Sequence, residues 1–299
     1  MSATNVTGPA LVEAAAPTRT RQVVRALLHD RLALIGIVLV ALLIVTALLA
    51  PLLAPYPAQG AGETVAGAHN LAPDARHWLG TDQLGRDVLS RLVYGARPAL
   101  FVSLGVVAIA IVVDVPLGLV AGFRGGRLDE LLMRVTDMFL AFPPLLLAMV
   151  TVAVLGPVLW NAALALALSW WPWYARLVRG VAASLREQPF VDSARTLGLR
   201  GSTVMLRHLL PNSAGPVIVQ ATVDIGTVIL AAGSLAFIGL GAQPPAPDWG
   251  FMVAEGRTYV FTQWWLSAAP GAAIFLAVLG FNLLGDALRD VLDPRTVSR

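Results

Sequence analysis

Apolar residues along this chain come in long blocks rather than in alternation. A hydrocarbon core about 30 Å thick takes about 20 mostly apolar helical residues to cross. Six blocks qualify: Leu32 to Ala54, Pro98 to Phe123, Leu131 to Leu155, Pro157 to Tyr174, Pro216 to Leu240 and Leu266 to Leu288. The first carries no charge, the second holds Asp114, the third Arg134 and Asp137, the fifth Asp224 and the sixth Asp286. The pattern predicts an all-α integral membrane protein of about six transmembrane helices. Arg19, Arg21, Arg25 and Arg31 precede the first block, as in a signal peptide. Its apolar run is longer than the 7–15 residues of a signal core, so it is expected to be a retained span.

Two polar connections are too long for simple turns. In the first, residues 55–98, Leu84, Val88 and Leu92 repeat at four-residue spacing, and Asp87 and Arg91 stand at i,i+4. This predicts a helix lying along the membrane surface or on the bundle. In the second, 175–215, Pro189 opens a helix and Gly198 closes it, and a further helical stretch from Ser202 to Leu210 ends at Pro211. The product is a helical hairpin feeding the fifth span, either a lever or a plain amphipathic connector. Pro143 and Pro144 predict a kink in the third span, and Gly118 with Gly122 a close helix contact. Arg134 and Asp137 are spaced for a helix-face ion pair. The expected organisation is a tail (1–31), a first helix with its loop (32–97) and a five-helix core (98–299).

Composition sharpens this picture. The chain is 57% hydrophobic and 13% charged, against about 25% charged in soluble domains. There is no cysteine, so disulfides and thiolate chemistry are excluded. All 21 basic residues are arginine. A P-loop needs a lysine beside the phosphates, so if ATP drives this protein another subunit binds it. With the N-terminus inside, sixteen arginines fall on inner segments and five on outer ones, which predicts both termini in the cytoplasm. Trp170, Trp171, Trp173 and Tyr174 are then placed for an aromatic belt at the inner interface. The net charge of +3 and the lack of aromatic–basic interleaving give no sign of a nucleic-acid partner. His29, His69, His77 and His208 do not form a metal-ligand spacing, and no catalytic motif is present. Asp114 and Asp224 sit deep in their spans, where a charge is costly and faces protein or water. Two readings are open: they line a translocation path, or they hold the bundle together.

The connection at 187–212 resembles the EAA loop of bacterial ABC importer permeases. The motif positions are Asp192, Ser193 and Ala194, then Gly198, then His208, Leu209, Leu210 and Pro211. Asp stands for the usual Glu, Ser for Ala, and His208 for an aliphatic residue. Three further stretches, His77 to Arg97, Ser234 to Gly250 and Phe281 to Pro294, resemble the C-type permeases of dipeptide, oligopeptide and nickel importers. The matches run in order from about residue 30 to 294. Ala232 stands where that family often has Glu. The resemblance implies a type I importer permease in the bacterial inner membrane, working by alternating access. It further implies a homologous B-type permease, two cytoplasmic ATPase subunits carrying ATP and Mg, and an external solute-binding protein, with no cofactor in this chain. Coupling to the ATPase would rest on Asp192, Ser193, Ala194, Thr196, Leu197, Gly198 and Leu199, with Pro211 fixing a hinge. Asp82, Arg86, Asp87, Asp248 and Trp249 would meet the binding protein or the partner permease. The alternative is an ion-coupled secondary transporter, which would use Asp114 and Asp224 but would not need the hairpin.

Overall fold

The computed structural model describes residues 27–292, so the arginines expected of the tail before Leu27 and those after Leu292 lie outside the described residues. Within that range the chain is helical, with one isolated bridge between Thr81 and Asp87. The main helices are α1 (Arg31–Leu48), α2 (Val88–Arg124), α3 (Gly126–Leu140), α4 (Pro144–Leu155), α5 (Leu159–Arg186), α6 (Pro189–Thr196), α7 (Gly201–Phe237), α8 (Trp249–Gly256) and α9 (Trp265–Leu292). Among the described residues α1, α2, α7 and α9 are each long and apolar enough to cross a membrane. The pair α3 and α4 meets that test only jointly, bent by 81°. With 28 residues α5 has the length, but Asn161, Pro172 and a set of tryptophans with Tyr174 dilute its apolar character.

Three boundaries differ from the sequence expectation. Residues from Val88 do not form a separate surface helix; they are the first turns of α2, which runs unbroken through Pro98 and Pro116. Proline is tolerated inside membrane helices because neighbours re-satisfy the freed backbone groups. The double proline does more than kink the third span. Pro143 is extended (ψ 125°) and Pro144 starts a new helix, so the span is broken. The stretch from Gly201 does not end at Pro211 either. A π-turn at Met205–Leu209 leads straight into the rest of α7. Proline clashes with the carbonyl four residues back in an α-helix. Widening the preceding turn relieves that conflict and lets the helix continue.

The core is formed by α2, α5 and α7. Small residues bring α2 and α5 into backbone contact, as the spacing of Gly118 and Gly122 predicts. A Cβ on Gly118 would lie 2.6 Å from the Ala175 carbonyl oxygen, and one on Gly122 2.5 Å from that of Arg179. Lipid offers no hydrophobic drive between helices, so such close packing carries the association. A second apolar cluster joins α1, the start of α2, α8 and α9 through Leu43, Val88, Trp249 and Phe281.

The ion pairs are longer-range than sequence spacing suggests. Arg134 pairs with Glu130 on the same helix, and Asp137 pairs with Arg176 of α5, so the expected Arg134–Asp137 pair is not formed. Arg179 reaches back to Asp129 at 2.6 Å. These contacts tie the broken half-span α3 to α5.

Candidate coupling site

The short connection between α5 and α7 is a compact hairpin. Pro189 occupies the first position of α6, where its missing N–H costs nothing. Gly198 ends the helix at φ 74°, a left-handed conformation that favours glycine. The Leu199 N–H donates to the Ala194 carbonyl at 3.1 Å, the six-to-one bond of a Schellman stop. The predicted turn is therefore present in detail.

The hairpin has two unlike faces. Val191 and Ala194 are buried and join the core of α2, α5 and α7. Leu197 is 80% exposed, and Phe190 and Leu199 are also exposed. The hydroxyls of Ser193 and Thr196 are spent on carbonyls one turn back, at 3.0 and 2.9 Å. Asp192 is exposed on the outward side. Ala194, expected among the docking residues, is an anchor instead, because its side points into the bundle. Pro211 lies inside α7, because the π-turn carries the helix through it. His208 lies in that π-turn with its ring 6.2 Å from the ring of Phe190. It thus braces α6 against the start of α7, a role its place in the motif did not suggest.

The opposite end of the bundle is locked from within. Arg86 and Arg91 are each 1% exposed. Asp82 accepts from Arg86 Nε at 2.8 Å and from Arg91 Nη1 at 2.6 Å. Glu255 of α8 accepts from Arg91 Nη1 at 3.0 Å and lies 3.3 Å from Arg86 Nη2. Asp87 caps α2 through the Ser90 N–H at 2.7 Å and holds the His77 ring at 2.9 Å. Trp249 donates from Nε1 to the Leu92 carbonyl at 2.8 Å. Asp248 caps α8 through the N–H groups of Gly250 and Phe251. Burial pushes the Asp248 carboxyl up to about 6, against the pull of those two N–H groups and Arg91.

This arrangement corrects two expectations. Asp82, Arg86, Asp87, Asp248 and Trp249 were expected at a contact with another protein; within this chain their side chains bind inward, Asp82 to Arg86, Asp87 to His77 and Ser90, Asp248 to the first N–H groups of α8 and Trp249 to the Leu92 carbonyl. Asp87 and Arg91 do not pair side chain to side chain, since Glu255, far away in sequence, takes the arginine. Glu255 is the residue sequence reasoning missed, and no local spacing could have found it. His77 is not a solvated loop residue; Asp87 and the Tyr56 ring, 4.8 Å away, enclose it.

The deep acids lie inside the chain. Asp114 is wholly buried, and neither of its oxygens has a hydrogen-bond partner among the described residues. Asp224 accepts from Gln220 Nε2 at 3.1 Å and neighbours Tyr174 and Trp170. Trp170 and Tyr174 are therefore turned into the core and do not stand in an interfacial belt. A side chain as enclosed as Asp114 presents nothing to a path running along the surface of this subunit.

Residues 114–298 match the model of the binding-protein-dependent transport system inner membrane component family. The chain belongs to this family. Residues 18–73 also match the N-terminal transmembrane domain of oligopeptide transport permease C. As an inner membrane component of such a system, the chain is a multi-pass protein of the bacterial inner membrane. It is 43% identical over 278 residues to the dipeptide transport system permease protein DppC of Alkalihalophilus pseudofirmus, covering 93% of this chain and 90% of that one. It is 46% identical over 258 residues to the probable D,D-dipeptide transport system permease protein DdpC of Escherichia coli K12, covering 86% of each. It is 39% identical over 290 residues to the glutathione transport system permease protein GsiD of Pectobacterium atrosepticum, covering 97% and 96%. In three dimensions it is similar to a chain of the inward-facing MetNI methionine ABC transporter. That match has a TM-score of 0.55 at 20% identity and covers 70% of this chain and 96% of that one. This second likeness concerns the fold. Membership of this family supports a permease subunit of an ABC importer and not the ion-coupled alternative.

Proposed function

We propose that this permease moves peptides or similar small solutes across the inner membrane, as one of two homologous permease subunits, the other of B type. Two cytoplasmic ATPase subunits holding ATP and Mg drive it, and an external binding protein delivers the solute. The observation that carries the reading is the two-faced hairpin. Its inner face is fixed in the core through Val191 and Ala194, while Phe190, Leu197 and Leu199 project outward at one tip. An exposed apolar knob on a short, rigid element suits a groove on another protein. Force applied there passes through the core packing and the π-turn into α5 and α7. Asp192, Ser193, Thr196, Leu197, Gly198 and Leu199 form or shape the docking side. The peptide assignment is supported by relatives named for dipeptides and glutathione, and the cytosolic placement by the arginine asymmetry.

The chain has no cysteine, so Leu197→Cys introduces a unique thiol at the tip. In the assembled importer this thiol is expected to cross-link to the ATPase subunit and to resist membrane-impermeant reagents added outside sealed cells. Labelling from outside, with no cross-link to the ATPase, would overturn both the orientation and the coupling role.

A further inference from the structure

We propose that α3 is an interfacial helix seated on the lipid of the leaflet at the hairpin end, and that α4 with the break before it makes the crossing alone. The inference does not depend on what docks at the hairpin or on which solute is moved. Two ion pairs join α3 to α5, Asp129 with Arg179 at 2.6 Å and Asp137 with Arg176. Along α3 the two acids are eight residues apart, about 12 Å; along α5 the two arginines are three apart, only about 4.5 Å. So α3 crosses α5 instead of running beside it, in keeping with its 81° bend from α4. Depth follows from helix rise. Arg176 and Arg179 stand 17 and 20 residues from the start of α5 at Leu159, about 26 and 30 Å along its axis. A hydrocarbon core is about 30 Å thick. The 12 residues of α4 supply about 18 Å, and the three-residue break before it at most about 10 Å. That already reaches the level of the ion pairs, which leaves α3 at the boundary between hydrocarbon and water.

The surface of α3 fits that level. At about 100° per residue its side chains fall into three sectors. Asp129, bonded to α5, and the buried Thr136 share one. Leu131, Val135 and Met138 form a second, and Arg127, Glu130 and Arg134 a third; both of these are exposed. Open apolar and open charged sectors on one helix call for two solvents side by side, and a membrane surface supplies both. Aromatic side chains mark the same level, as they do at membrane interfaces. Phe139 meets Trp171 of α5 edge-on at 5.2 Å, and Trp173, one turn before Arg176, is exposed. Acyl chains then cover Leu131, Val135 and Met138, while Arg127 and Arg134 lie among the phosphates. Through its ion pairs α3 holds the end of α5, and the hairpin that follows, at a fixed height on the leaflet.

The chain has no cysteine, so single nitroxide labels can report depth. Leu131→Cys, Val135→Cys, Met138→Cys, Arg127→Cys and Arg134→Cys are labelled one at a time in the complete importer in lipid nanodiscs. Electron paramagnetic resonance then measures collisions with oxygen and with a water-soluble nickel chelate, calibrated against spin-labelled lipids of known depth. The three apolar positions should favour oxygen and lie at one shallow depth, within about 3 Å of each other. The two arginine positions should favour the chelate. Leu128→Cys, on the apolar side, replaces any of the three whose variant does not assemble. A depth changing steadily by about 1.5 Å per residue from 127 to 138 would make α3 part of a crossing helix. Shelter of the apolar positions from both reagents would mean that another subunit covers them, and chelate access at all five that the helix stands in water. Each of these three results would overturn the proposal.

Discussion

The two ends of the bundle place their charges differently. At the loop end charged side chains are buried, with Arg86 and Arg91 clamped between Asp82 and Glu255. Towards the hairpin end the ion pairs lie more in the open, Arg179 with Asp129 and Arg176 with Asp137. Both ends expose apolar side chains, Trp78 and Phe261 on the loops and Leu197 on the hairpin. What separates them is therefore buried charge, which ties distant stretches of chain together at one end only.

The strongest way to break the contrast is Gly198→Asp. The left-handed turn strains any side chain, and the added charge spoils the docking side. Uptake is expected to be lost entirely while membrane insertion stays normal, and wild-type-like uptake would remove the hairpin from the mechanism. Next comes Arg91→Met, which leaves Asp82 and Glu255 short of a partner. Breaking a buried pair from one side costs about 3–5 kcal/mol, so a clear fall in thermal stability is expected. An unchanged melting curve would show that the loop end is not locked. Leu197→Ser removes exposed apolar surface, so stability should move by no more than about 0.5 kcal/mol. ATP-driven uptake should still fall several-fold, and unchanged uptake would mean that the tip meets nothing.

The smallest effect concerns Asp248. Its carboxyl titrates higher in the folded chain, near 6, than its ordinary value of 3.8. The protonated form is thus favoured by folding, and stability it contributes at low pH is lost as pH rises from about 4 to about 6. Asp248→Asn keeps a capping oxygen and should flatten the stability profile across that window. An identical profile in the variant would place the titration elsewhere.

The spans were legible because length and apolarity are local properties, and the Gly198 stop because only a turn of that hand calls for glycine there. What the sequence hid depends on partners far along the chain. Arg91 prefers Glu255, 164 residues away, over Asp87, four residues away. Asp137 likewise finds Arg176 rather than Arg134. Tyr174 looked like an interfacial aromatic because its neighbours are tryptophans, yet the face it occupies turns inward against α2 and α7. Proline misled twice in opposite directions. Pro98 suggested a boundary that α2 ignores, and Pro143 with Pro144 suggested a bend where the helix in fact stops. The two cases differ in backbone conformation: α2 keeps its helical course through Pro98 and Pro116, whereas Pro143 is extended.

The wide turn at Met205–Leu209 also sets an angular phase. Each residue of an α-helix advances the chain by about 100° around its axis. A surplus residue in an unbroken α-helix would therefore rotate everything beyond it by about 100°. The wide turn takes up that surplus within five residues, so the stretch from Gly201 and the span beyond it keep nearly the bearing they would have without the extra residue. Trimming one residue from the turn is accordingly expected to leave both faces where they are, whereas an insertion elsewhere in the span would turn one face against the other.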